Sequence, residues 1–116
     1  MKGVFVTGSN TGVGKTTVAV EIVRHISLTR EVRVRKPVET DCEFNGQNHI
    51  PKDAIALSDA CEQQEPLEKV CPYRFELEAS AEMASNEGGK KLTLEDLVLI
   101  CRCEDEEGFV VVEGAG

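Results

Sequence analysis

Positive charge is scarce beside negative charge in this 116-residue sequence: 13 Lys and Arg face 21 Asp and Glu, a net charge of −8. Such an acidic chain is a poor match for nucleic acid or for an anionic membrane, which excludes both as general partners. A small phosphorylated ligand is not excluded, because it needs only a local basic pocket. The acidic excess lies mostly between Glu62 and Glu107 and reads as a solvated face. Long apolar runs are also missing, and none approaches the roughly 20 residues that cross a bilayer. The opening Met1-Lys2, a short apolar run and the polar Thr7-Gly8-Ser9-Asn10 do not read as a secretory leader. No Cys-x-x-Cys pair occurs among Cys42, Cys61, Cys71, Cys101 and Cys103. Cys101-x-Cys103 lacks the second pair of a zinc site, so the expectation is reduced thiols in a cytoplasmic chain. There is no internal repeat, and 41% apolar content suits one compact domain over residues 1–116.

What is present is a glycine loop in the right surroundings. Gly8-Ser9-Asn10-Thr11-Gly12-Val13-Gly14-Lys15-Thr16 reads G-x-x-x-x-x-G-K-T, one residue longer than the strict phosphate-loop pattern counted from Gly8. Val4-Phe5-Val6 before it has strand character, while Val18, Ala19, Ile22, Val23 and Ile26 after it recur at helical spacing. A polyphosphate needs several donors converging from one side. Gly12 and Gly14 let the backbone approach the phosphates closely. The amides through Val13, Thr16 and Thr17, together with the helix dipole, face the same anion. Lys15 would reach the terminal phosphates, and the Thr16 hydroxyl would ligate Mg²⁺.

Along the chain, Glu31 to Val38 is expected to form a second strand. Its Val/Arg alternation suits an edge or a polar cavity rather than a sheet interior. Glu39 to Pro51 is a polar loop, and Lys52 to Cys61 a short helix with Asp53 in its first turn. Val70 to Phe75 is a weak strand, and Ala79 to Asn86 a short helix ended by Gly88-Gly89. Thr93-Leu94-Glu95-Asp96 is a near capping box, opening a helix whose buried stripe would be Leu94, Leu97, Val98 and Cys101. Phe109 to Val112 is wholly apolar, the mark of a central parallel strand, and it delivers Glu113 at its carboxyl end. This alternation means an α/β fold, a phosphate-loop NTPase-like parallel sheet flanked by helices. Ligands in such sheets bind beyond the carboxyl ends of the strands, where Lys15, Lys36 and Glu113 should meet.

The sequence resembles the ATP-dependent dethiobiotin synthetases. The match is carried by the glycine loop from Val6 to Thr16, Arg35-Lys36-Pro37-Val38-Glu39-Thr40, Lys52-Asp53-Ala54-Ile55-Ala56-Leu57 and Val111-Val112-Glu113-Gly114-Ala115-Gly116, with Pro72-Tyr73-Arg74-Phe75 in support. The resemblance implies that ATP and Mg²⁺ serve to carboxylate 7,8-diaminopelargonate with CO₂ and close its ureido ring. It implies Lys15 and Lys36 as catalytic residues and Thr11, Lys36 and Thr40 as substrate contacts. Gly12, Val13, Gly14, Lys15, Thr16, Thr17 and Glu113 would hold the nucleotide, and Thr16, Asp53 and Glu113 the metal. A homodimer is expected from the same family. His25 and His49 are expected to be surface residues without a part in the chemistry.

Taken alone, Lys36 also reads as an ordinary strand-end lysine and Asp53 as a helix-start carboxylate. Ser80-Ala81-Glu82 stands where the family has a Ser-Pro-His-like segment, and Gly12 where some members have glutamate. The resemblance spans only the amino-terminal half of the family's domain, so a truncated sheet ending after Glu113 is expected. Two rival functions stay open. One is a related phosphate-loop ATPase of the cobyrinate-synthase or partitioning type, the latter disfavoured because Ser9, Asn10 and Thr11 stand where it carries a second lysine. The other is a nucleotide-binding module without turnover.

Overall fold

A computed structural model describes residues 2–7, 13–62, 64–76, 93–101 and 108–114. Its main sheet is parallel, with β1 (Lys2–Val6) and β2 (Val32–Arg35) on either side of β7 (Phe109–Glu113). In register, Val4 and Val34 both stand opposite Val111, and Val6 stands opposite Glu113. The apolar run of β7 thus takes the central position expected of it, and the Val/Arg alternation of β2 takes the flank. Between β1 and β7 the backbones come very close at Gly3. A Cβ there would lie 2.6 Å from both the side chain and the carbonyl oxygen of Val110, so no larger residue fits without prying the strands apart.

The helix α1 (Val13–Ile26) crosses back over the sheet, and α2 (Lys52–Asp59) packs beside it. Ala19 and Val23 of α1 and Ala54 and Leu57 of α2 meet Val32, Val34 and Val111 of the sheet in one core. Truncating Leu57, fully buried there, would cost about 2–5 kcal/mol. Cys61 and Cys71 belong to the same core, and Cys42 is buried nearby. Cys42, Cys61 and Cys71 are free thiols. Burial pushes the thiols of Cys42 and Cys61 up to about 11 and that of Cys71 to about 12.

Several boundaries differ from expectation, each for a local reason. The second strand stops at Arg35 because Pro37 has no N–H to give a ladder. Lys36 N–H turns instead to the Val70 carbonyl at 2.9 Å. The chain then pairs again as β3 (Val38–Glu39), parallel to β6 (Tyr73–Arg74). Val70, expected in a strand, closes a single helical turn, α3 (Leu67–Val70), whose last amides bond the Pro66 carbonyl. The polar loop after Glu39 contains a small hairpin, β4 (Glu43–Phe44) against β5 (His49–Ile50). Gly46 takes φ 97° in its turn, and the Asn45 side chain accepts the Gln47 and Asn48 amides. α2 ends at Asp59, with Ala60 and Cys61 continuing in a tighter turn.

The last described helix is α4 (Leu94–Cys101). Its capping box is complete despite the shorter acid: Asp96 N–H donates to Thr93 Oγ1 and Thr93 N–H to Asp96 Oδ2, both at 3.1 Å. Val98, expected on the buried stripe, is instead 51% exposed. The helix expected over 79–86, Gly88-Gly89 and the Ser80-Ala81-Glu82 substitution lie outside the described residues.

Candidate functional site

The carboxyl ends of β2 and β7 and the first turns of α1 and α2 converge on one cluster of charges. Glu113, the last residue of β7, is completely buried. Its Oε1 accepts the Thr16 hydroxyl at 2.7 Å and Lys36 Nζ at 3.2 Å. Lys36, 3% exposed, also donates to the Gly114 carbonyl at 3.2 Å and lies 3.7 Å from Asp53 Oδ2. Asp53 is about half-exposed and forms the outer wall. Lys15 completes the group: burial lowers its pKa, Lys36 lowers it further, and Glu113 and Asp53 oppose both effects.

Two atoms of this cluster are buried and lack a hydrogen-bond partner among the described residues, Lys15 Nζ and Glu113 Oε2. Buried polar atoms are nearly always satisfied, so two left open in one cluster suit a ligand's own polar atoms. One is an ammonium donor suited to a phosphate oxygen. The other is a carboxylate oxygen suited to a hard cation. Glu113, Asp53 and the Thr16 hydroxyl together form an all-oxygen donor set that fits Mg²⁺. Among the described residues no three His, Cys, Asp or Glu side chains form a metal-holding group. These residues would therefore share a cation with phosphate oxygens and water rather than enclose it.

The other sequence candidates stand as follows. Gly14 is exposed, and a Cβ there would meet nothing within 4 Å. The packing of the described residues therefore leaves open space at Gly14. Thr17 lies on α1 next to Thr16 and is exposed, and Val13 opens that helix. Thr40 is half-buried just after β3, and its carbonyl accepts Cys42 Sγ at 4.0 Å. Its hydroxyl makes no described bond to the charge cluster. Thr11 and Gly12 lie outside the described residues. His25 is exposed on α1, and His49 pairs with Glu76 at 3.1 Å on the hairpin. Grooves of about 320 and 310 Å³ lie elsewhere, beside Arg30 and beside Arg74; the second is lined in part by His49, and neither contains Lys15, Thr16, Lys36, Asp53 or Glu113.

Sequence reasoning passed over Glu39. This side chain is 5% exposed, and it accepts Asp53 N–H at 3.1 Å and Ala54 N–H at 2.9 Å. Burial raises its pKa, against the pull of those two amides. A signal for it existed. Pro51-Lys52-Asp53 opens a helix without a capping side chain, so the first-turn amides had to be satisfied from elsewhere.

Comparison with known proteins agrees with this geometry. An AAA domain family, AAA_26, matches residues 2–116. A protein of Ruthia magnifica named ATP-dependent dethiobiotin synthetase BioD is 53% identical over 116 residues, all of this chain and 53% of that protein. A protein of the same name from Vesicomyosocius okutanii is 49% identical over the whole chain and 52% of its own length. One from Anaeromyxobacter dehalogenans is 37% identical, again over the whole chain and 51% of its length. The chain spans about half the length of the curated relatives it matches. With the phosphate-loop context, the parallel sheet and the buried lysine–glutamate cluster in agreement, the chain belongs to the AAA_26 family, which contains the dethiobiotin synthetases.

Proposed function

We propose that this chain is the phosphate-handling half of an ATP- and Mg²⁺-dependent dethiobiotin synthetase. The observation that carries the reading is the meeting of Lys15, Lys36, Asp53 and Glu113 at one rim of the sheet, with two buried polar atoms left open. The reaction converts 7,8-diaminopelargonate and CO₂ into a carbamate, transfers the γ-phosphoryl group of ATP to it, and closes the ureido ring with release of phosphate. Charge is the main obstacle in that sequence, and preorganised cations are the main remedy.

Lys15 and Lys36 would supply those cations. Lys36, held by Glu113 and the Gly114 carbonyl, would neutralise the carbamate, and Lys15 the terminal phosphates. Glu113, Asp53 and Thr16 would hold Mg²⁺, which when bound gathers phosphate oxygens and offsets their charge. Gly12, Val13, Gly14 and Thr17 belong to the phosphate cradle, and Thr11 and Thr40 to the substrate side. The partners are small molecules, and the acidic charge of −8 supports a reading without nucleic acid or membrane lipid. No described helix is long and apolar enough to cross a membrane; a cytoplasmic setting and a homodimer belong to the proposal through the family resemblance.

Phosphate release measured with and without the diamine and bicarbonate tests the assignment. Diamine-dependent release is the expected result. Release that ignores the diamine points to a generic ATPase. Nucleotide binding without any release supports a binding module without turnover.

A further inference from the structure

We infer that Glu39 is a positioning residue of this site, holding the first turn of α2 so that Asp53 faces Lys36. The inference rests on the site reading above and adds a part that its charged cluster does not reveal. The four residues from Lys36 to Glu39 form one fixed segment between two ends of the site. Lys36 N–H bonds the Val70 carbonyl at 2.9 Å, Tyr73 N–H the Pro37 carbonyl at 3.2 Å, and Phe75 N–H the Glu39 carbonyl at 2.9 Å. Cys42 Sγ adds a contact to the same Glu39 carbonyl at 3.5 Å. One end of this segment carries the Lys36 ammonium. The other end carries a carboxylate that grips the amides of Asp53 and Ala54.

α2 has no cap of its own. Pro51 precedes it and makes no side-chain cap bond, so Glu39, 14 residues upstream, supplies both acceptors. The backbone of Asp53 is thereby tied to the strand segment that supplies Lys36. The 3.7 Å separation of Lys36 Nζ and Asp53 Oδ2 follows from that tie rather than from their mutual attraction alone. Asp53 is about half-exposed, and besides its ion pair with Lys36 the described contact that holds its backbone is the Glu39 carboxylate. Glu39 itself is buried behind the cluster, so it acts through Asp53 and not on a ligand directly.

The test is Mg²⁺-dependent binding of a fluorescent, non-hydrolysable ATP analogue to the native chain, Glu39→Ala, Glu39→Gln, Asp53→Ala and the Glu39→Ala/Asp53→Ala double variant. Loss of the cap should raise the Mg²⁺ midpoint about five- to tenfold in Glu39→Ala, with metal-free nucleotide affinity unchanged. Glu39→Gln keeps one acceptor oxygen, so its shift should be smaller, and it carries the test if the alanine variant does not fold. In the Asp53→Ala background the second change should add nothing. Unchanged midpoints in both Glu39 variants, or a full further shift in the double variant, overturn the positioning role alone. A midpoint rise matched by equal loss of metal-free affinity means general loosening and also overturns it. No binding by the native chain overturns the site reading and this role with it.

Discussion

Arg35 and Lys36 are neighbours in sequence and almost equally buried, at 1% and 3% exposed, yet they sit in opposite kinds of environment. Arg35 is saturated. Its Nη1 and Nη2 meet the two Glu65 oxygens at 2.6 and 3.2 Å, Nη1 also reaches the Val34 carbonyl, and Nε reaches the Ile100 carbonyl. Arg33 and Lys69 add ion pairs to the same Glu65. On the other side of the backbone, the cluster around Lys36 keeps Lys15 Nζ and Glu113 Oε2 open. Both are buried ionic networks, but only the one around Arg35 leaves no buried polar atom open among the described residues. A network that closes on itself joins elements of the fold, here β2, α4 and the approach to α3. A network with spare valence is arranged for something that arrives later.

Breaking the closed network should have the largest effect on stability. Arg35→Ala strands the mostly buried Glu65 and cuts the link to α4, for a loss of about 3–5 kcal/mol in urea unfolding. Nucleotide affinity per folded molecule should hardly change. Lys15→Ala should do the reverse: binding of ATP should weaken on the order of a hundredfold in a titration. Unfolding stability should stay level or rise, since an unpartnered buried ammonium is lost. If both changes acted alike on both measurements, the distinction between the two networks would disappear.

Acid provides a subtler probe of the same contrast. Burial pushes the Glu65 carboxyl up, but the hydrogen bonds and charges of Arg35 and Lys69 more than offset this, leaving its pKa below the ordinary 4.5. A depressed folded-state value contributes stability above the unfolded-state pKa and loses it as pH falls through the folded value. Native protein should therefore lose stability steeply below about pH 4.5. Glu65→Gln should flatten that acid limb in pH-dependent melting, at the expense of stability near neutrality. The smallest effect is expected from Thr93→Ala. It removes one half of the capping box of α4, at the Arg35 end of the molecule, and should cost about 1 kcal/mol without altering nucleotide binding.

Local and periodic features were legible before any coordinates. The apolar Phe109–Val112 run marked the central strand, Thr93 and Asp96 marked a helix start, and the apolar patterns on either side of the glycine loop marked β1 and α1. The unread parts depend on partners distant in sequence. Nothing periodic announces that Glu65 closes over Arg35 from 30 positions away, or that Glu39 caps a helix 14 positions on. Pro37 was visible as a strand terminator, but the pairing of Val38–Glu39 with Tyr73–Arg74 beyond it was not. Val98 misled because a helix of eight residues has room for an apolar side chain on its outer face.

The thiols of the core have a practical consequence. Cys42, Cys61 and Cys71 are shielded, and their acidities are displaced well away from the range in which thiolates form at neutral pH. An alkylating reagent can reach them only in molecules that have opened, so their rate of labelling counts excursions out of the native state. Nature has thus supplied the chain with an internal stopwatch, one that runs without any engineered label and stops when ligand holds the molecule shut.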